Sequence, residues 1–224
     1  KFLPQNSTMS VTCSPAKTID DTLDLCESFS ADGHITIPHF AARMVESEEH
    51  VDSIIDRVHK LGIRKIFVIG GDADQRGPFY DAPSFLQALV ARKPDIDTIG
   101  IGSYPDGHAD IPNSSLDQAL FEKQEIILGA GYEGYIATQM CFDAKKIAEW
   151  LNKLNASINT INKKSEAGFK KIEKETSELV MATAKLNSVI ENQQKEIERY
   201  KKGYDYSIRK DSFTPLLQLD DSIK

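Results

Sequence analysis

Side chains able to do chemistry recur in this chain directly after short apolar runs. Thr12 follows Met9-Ser10-Val11, and His39, with Arg43 four residues on, follows Ile35-Thr36-Ile37-Pro38. Asp72 and Asp74 follow Lys65-Ile66-Phe67-Val68-Ile69-Gly70-Gly71; Tyr104 and His108 follow Thr98-Ile99-Gly100-Ile101-Gly102; Gln139 and Asp143 follow Tyr135-Ile136-Ala137-Thr138. The central stretch is the most informative. Ile66 to Ile69 has the pattern of a strand buried on both faces. Gly70 and Gly71 then permit positive φ or the close approach of a ligand to the main chain. Asp72 would present a carboxylate from the carboxyl end of that strand, where α/β enzymes place their chemistry. Taken singly, each residue has an ordinary explanation. His39 suits a satisfied turn histidine, Tyr104-Pro105-Asp106-Gly107 a plain β-turn, and Gln139 a strand cap. Five such sets at one end of one parallel sheet favour an active-site rim.

The elements that must hold these residues alternate. Strands are expected at Met9–Cys13, His34–Phe40, Ile66–Ile69, Thr98–Gly102 and Tyr135–Met140. Helices are expected at Thr18–Ser30, from Ser47 to Leu61, at Ser84–Val90, Leu116–Leu128 and Lys145–Leu154. Thr18 or Asp20 can cap the first helix; Glu48 and Glu49 suit the first turn of the second, which Gly62 closes. Five βα units at a pitch of ~30 residues give a parallel sheet with right-handed crossovers. Periodicity leaves open whether that sheet is doubly wound or a whole or partial (β/α)8 barrel.

The chain has 224 residues, 40% hydrophobic and 27% charged, as suits a foldable protein of one large domain or one domain with an appendage. It has no apolar run of ~18 residues to cross a membrane, and Lys1-Phe2-Leu3-Pro4-Gln5 lacks the apolar core of a signal peptide. Cys13, Cys26 and Cys141 form no CxxC pair, which argues against structural zinc or a disulfide framework and for a reducing cytoplasm. A net charge of -7 argues against sequence-independent nucleic-acid binding. Residues 1–151 carry 13 Lys+Arg against 23 Asp+Glu, whereas residues 152–224 carry 14 against 11. Eight of the nine prolines also lie in the first part. The shift marks a boundary between domains at 1–151 and 152–224.

Ser10-Val11-Thr12, Pro38-His39, Gly70-Gly71-Asp72, Tyr104-Pro105-Asp106-Gly107-His108 and Thr138-Gln139-Met140-Cys141-Phe142-Asp143 occur in an order that resembles the methylenetetrahydrofolate reductase family, over roughly residues 3–151. Ala41-Ala42-Arg43 after the histidine and Gly-Gly-Asp at the central turn bring it nearer a divergent branch. The resemblance implies an α/β fold, here a partial (β/α)8 TIM barrel of about five βα units. It also implies FAD as cofactor, NAD(P)H as reductant and reduction of 5,10-methylenetetrahydrofolate to 5-methyltetrahydrofolate. By position, Thr12, His39, Gly71, Asp72, Tyr104 and His108 would line the flavin and Lys123 would reach its phosphates. Asp72 would tune the flavin's potential and Gln139 would hydrogen-bond the pterin, which makes these two the catalytic candidates; no metal is implied.

The chain departs from the family pattern in three ways. Gly70 stands where the family usually has Arg, and Asp106 replaces a usual Glu. The first barrel strand, with its Glu-Phe-x-Pro-Pro-Lys acid, is expected to be missing, so that five strands leave the barrel open and the activity weak. From Asn155 to Lys202 there is no proline and one glycine, so a long amphipathic, coiled-coil-like helix is expected there. One heptad position falls at Ile158, Ser165, Ile172, Leu179, Leu186, Gln193 and Tyr200. The other falls at Ile161, Gly168, Glu175, Ala182, Val189 and Glu196, with Phe169, Ile190 and Ile197 broadening the seam. Gly203 is expected to end this helix and Ser212–Ile223 to begin another. The alternative to an enzyme is a non-catalytic fusion or fragment whose helical tail mediates self-association.

Overall fold

A computed structural model describes residues 3–220, with side chains described through residue 200. The element order is β1 (Thr8–Val11), α1 (Ile19–Ala31), β2 (Ile35–Ala41), a 3-10 turn (Ala42–Met44), α2 (Glu48–Lys60), β3 (Lys65–Ile69), α3 (Ala82–Ala91), β4 (Thr98–Ser103), α4 (Asn113–Gly129), β5 (Glu133–Thr138) and α5 (Ala144–Asp220). Residues up to Lys163 form one compact unit and those from Lys164 a second. That division falls inside α5, downstream of the composition change near residue 151.

Local chemistry explains the helix starts. Thr18 caps α1 in a reciprocal capping box with Asp21, Ser47 caps α2, and Asp81 forms a second box with Ser84 ahead of α3. The choice between Thr18 and Asp20 is therefore settled for Thr18. The five strands are all parallel and lie in the order β1-β2-β3-β4-β5. A doubly wound sheet reverses its strand order at a switch point, and this one does not. Consecutive order with right-handed crossovers is that of a (β/α)8 barrel, of which five units are present here.

Phe40, Ile66, Val68, Ile99 and Ile101 point to the helical side and join Leu23, Ile54, Leu86 and Ile127 in one apolar core. Phe67 is also buried, at 6% exposure, but it lies on the opposite, concave face. β3 is thus covered on both faces, as its unbroken apolar run requires. Between helices, Arg57 of α2 pairs with Asp20, Asp24 and Glu27 of α1, and Arg92 pairs with Glu48 and Asp52 of α2. The first turns of α5 close the unit: Trp150 Nε1 donates to Ser103 Oγ at 2.9 Å, and Ile161 is buried.

The helix does not stop at Gly203. It continues through that residue to Asp220, so no separate helix starts at Ser212. A lone glycine costs only about 1 kcal/mol within a helix, too little to end one whose neighbours favour it. Ile223 lies outside the described residues. No helix among the described residues is long and apolar enough to cross a membrane.

Candidate functional site

Parallel pairing places the carboxyl ends of all five strands on one rim, and the register decides which side chains face the concave side. Val11 pairs with Pro38, His39 with Phe67, Phe67 with Gly100 and Gly100 with Tyr135. One row therefore crosses the concave face from Thr12, at the next position after Val11, through His39, Phe67 and Gly100 to Tyr135. The His39 and Phe67 rings lie 4.6 Å apart, the Phe67 and Tyr135 rings 5.7 Å apart, and Lys65 Nζ sits 5.0 Å from the centre of the Tyr135 ring. Gly100 is obligatory in this row, because a Cβ there would meet Tyr135 Cζ at 2.2 Å and Phe67 Cδ2 at 2.4 Å.

The next inward row runs through Ala41, Ile69, Gly102 and Ala137. Apart from Ile69 its side chains are small, and a Cβ on Gly102 would meet nothing within 4 Å. A shelf of small residues over an aromatic floor leaves room for a flat ring, so the residues present fit a flavin. Past the strand ends the same alternation reaches Gly71, Tyr104 and Gln139. Gln139 N prolongs the ladder by donating to Ser103 O at 2.9 Å.

The turn after β3 is built by backbone geometry. Gly71 has φ +88, and a Cβ there would press on Ala41 Cβ at 2.7 Å, so glycine is demanded on both counts. Arg43 N donates to Gly70 O at 3.1 Å, and Arg76 N to Arg43 O at 2.8 Å. The Arg76 guanidinium also reaches the carbonyls of Pro15 and Lys17. These bonds bind the loops after β1, β2 and β3 into one rim. Arg43 itself donates through Nε to Tyr80 O at 3.0 Å, a structural use of a residue that stood among the polar candidates. Asp72 is exposed beside Cys13, whose thiol burial pushes up, with the Asp72 charge adding to the rise. Burial lowers the affinity of His39 for a proton and holds its ring neutral at neutral pH.

After β4, Gly107 N donates to Tyr104 O at 3.0 Å, so the ordinary β-turn reading is correct as local geometry. The same turn brings His108 edge-on to Tyr104, with ring centres 5.3 Å apart. His108 Nδ1 accepts from Asp110 N at 3.1 Å, which leaves Nε2 as the protonated nitrogen of the neutral ring. Asp106 pairs with Lys146 at 3.1 Å and is held below the usual carboxylate range by it.

The structure thus gathers Thr12, Gly71, Asp72, Tyr104, His108 and Gln139 on one rim, with His39 inside β2 in the floor below it. Lys123 stands apart, on α4: it is 8% exposed, its Nζ donates to Gly102 O at 2.7 Å, and burial lowers its pKa to about 8. The sequence reading missed Phe67, Gly100 and Tyr135 as a floor, Cys13 beside Asp72, and Lys146 opposite Asp106. Inward parity was available only through strand register, which the sequence does not display.

A parallel sheet in sequential order, with its polar residues collected at the carboxyl rim, defines a chain of the (β/α)8-barrel class. The sequence profile of the family "Methylenetetrahydrofolate reductase" matches residues 4–163. The chain belongs to the methylenetetrahydrofolate reductase family. It is 26% identical over 119 residues to methylenetetrahydrofolate reductase 1 of Schizosaccharomyces pombe, across 50% of this chain and 19% of that protein. It is 24% identical over 116 residues to methylenetetrahydrofolate reductase 2 of Saccharomyces cerevisiae, across 48% of this chain and 19% of that protein. The chain spans about a fifth of the length of these relatives.

Proposed function

We propose that this chain carries the cofactor-binding rim of an oxidoreductase of folate one-carbon metabolism, one that reduces 5,10-methylenetetrahydrofolate to 5-methyltetrahydrofolate with NAD(P)H. The supporting observation is the row Ala41, Ile69, Gly102 and Ala137, small but for Ile69, beside the His39–Phe67–Tyr135 floor, within a domain of this family. FAD, when bound, would supply the hydride relay between the nicotinamide and the folate.

Thr12, His39, Gly71, Tyr104 and His108 would hold the ring system. His39, neutral through burial, would act as a hydrogen-bonding group and not as a cation. His108 would offer its Nε2 proton. Asp72 would set a negative charge near the ring and so lower its reduction potential. Lys123 would be the cation for the phosphates, once its buried amine left the Gly102 carbonyl to which it donates. Gln139, at the end of β5, would hydrogen-bond the pterin. A cytoplasmic location suits the three free thiols.

Flavin binding tests the reading directly. Titrating FAD against the purified chain should quench flavin fluorescence saturably, and Asp72→Asn should shift the potential of the bound cofactor upward. A parent chain that neither carries flavin nor binds it saturably would end the proposal.

A second reading concerns the helical tail. Between Phe169 and Tyr200, α5 exposes large apolar side chains, among them Leu179 at 68% and Leu186 at 61%. We propose that this segment mediates self-association.

A further inference from the structure

The exposed side chains of the second unit obey a stricter rule than amphipathicity. Starting at Ser165, steps of four and three residues alternate without a break to Tyr200. One row is Phe169, Thr176, Thr183, Ile190 and Ile197; the other is Ser165, Ile172, Leu179, Leu186, Gln193 and Tyr200. The second row matches the frame read from the sequence. Its companion lies four residues on, not three, and it replaces the polar Glu175 and Glu196 of that frame with β-branched residues. A repeat of 3.5 residues is one that a single straight helix cannot keep on one face, so it implies a supercoiled partner.

We infer that the partner is a second copy of this chain, wound parallel and in register over residues 165–200. The inference rests on the self-association reading above. Its grounds are the chemistry of the rows. In heptad terms the Phe169 row occupies a and the Leu179 row d. Four of five a residues are β-branched and leucine sits at the central d layers, the distribution that selects two parallel strands. In register, each layer meets its own kind, so Gln193 faces Gln193 of the second copy, where amide can bond to amide. Thr183 already spends its hydroxyl on Leu179 O at 2.9 Å, so that no polar group of it is left needing a partner in the seam. Charge decides against the reverse arrangement. Antiparallel winding centred on this seam would set Glu175 against Glu196 on both sides, whereas parallel winding sets Glu175 beside Val180. The ion pair Lys174–Glu178 lies off the seam, and Lys171 meets Glu175 from the outer side of its flank.

Light scattering on the full chain should give twice the 25.0 kDa chain mass. Leu179→Asp with Leu186→Asp should halve that mass, while Lys195→Glu, at an outward position, should leave it unchanged. In a chain carrying Cys13→Ser and Cys141→Ser, added Ser165→Cys should link copies to one another under mild oxidation. A parent that is monomeric overturns the self-association reading and this inference together. A dimer in which Phe169→Cys links only to copies carrying Tyr200→Cys, the layer partners in the antiparallel frame, overturns the parallel register while leaving self-association standing. A dimer that survives the double aspartate substitution, or a trimer, overturns the assignment of this seam. Circular dichroism on each variant distinguishes lost pairing from lost helix.

Discussion

Lys123 Nζ lies 2.7 Å from the carbonyl oxygen of Gly102, so a buried ammonium on α4 ties that helix to the last residues of β4. Burial lowers its pKa to about 8 from the ordinary value of 10.5, with the Asp81 carboxylate opposing the change. Between those two values the unfolded chain holds a proton that the native chain has lost, so stability rises with pH there. Against Lys123→Met, the parent should gain up to roughly 3 kcal/mol between pH 8 and pH 10.5, following 1.36 kcal/mol per unit of pKa difference. Urea unfolding of both proteins across that range checks the slope, and parallel curves would show that the ammonium is solvated.

Gly100→Ala should damage the floor of the mouth. Its Cβ would be driven into Tyr135 and Phe67. Overpacking of this kind costs about 1–3 kcal/mol. Thermal unfolding should register the loss, and flavin affinity should fall with it, since Tyr135 cannot keep its place in the row. Gly102→Ala, two residues on, meets nothing within 4 Å and should leave stability almost unchanged.

Asp72→Asn should quicken alkylation of Cys13. The Asp72 charge helps hold that thiol protonated, and the thiolate is the reacting form. An acceleration of about twofold at neutral pH is expected for a partly solvated pair. Peptide mapping after brief iodoacetamide treatment reads each site separately, and Cys26, fully buried, serves as the unreactive reference. No change at Cys13 would place Asp72 away from the β1 end.

Gln124→Met should stabilise the protein. Gln124 is 6% exposed; its Nε2 donates to Leu120 O, but its Oε1 has no partner. A buried acceptor left unpaired costs about 1–3 kcal/mol, so replacing the amide by a thioether of similar size should raise stability by about 1 kcal/mol. Ser157 Oγ, likewise unpaired, lines the same hollow of about 310 Å³ between α4 and α5. Chemical denaturation of the single variant measures the gain.

The order and type of the elements were legible because local rules govern them. Thr18, Ser47 and the alternating apolar runs each act within a few residues of themselves, and the observed strands begin and end close to where those runs predict. The rim was legible as a set for the same reason: every member but His39, which lies inside β2, follows a strand. What joins residues distant in the chain was not legible. The pairing of His39 with Phe67, the closure of Tyr135 over Gly100 and the Asp106–Lys146 pair depend on register and on packing between elements. Lys123 shows the same limit, since nothing in its neighbours announces that its amine turns inward to Gly102. Gly203 shows the opposite error, a local stop signal overridden by the helix around it.

Because every strand lies beside the one made just before it, the sheet can grow as the ribosome delivers the chain. Once Ser103 has emerged, four neighbouring strands are available, and the loops that Arg76 laces together can settle before α4 exists. Assembly of this kind asks for few long loop closures, which favours rapid folding for a parallel sheet. The mouth would thus be furnished one residue at a time, Thr12 first and Gln139 last.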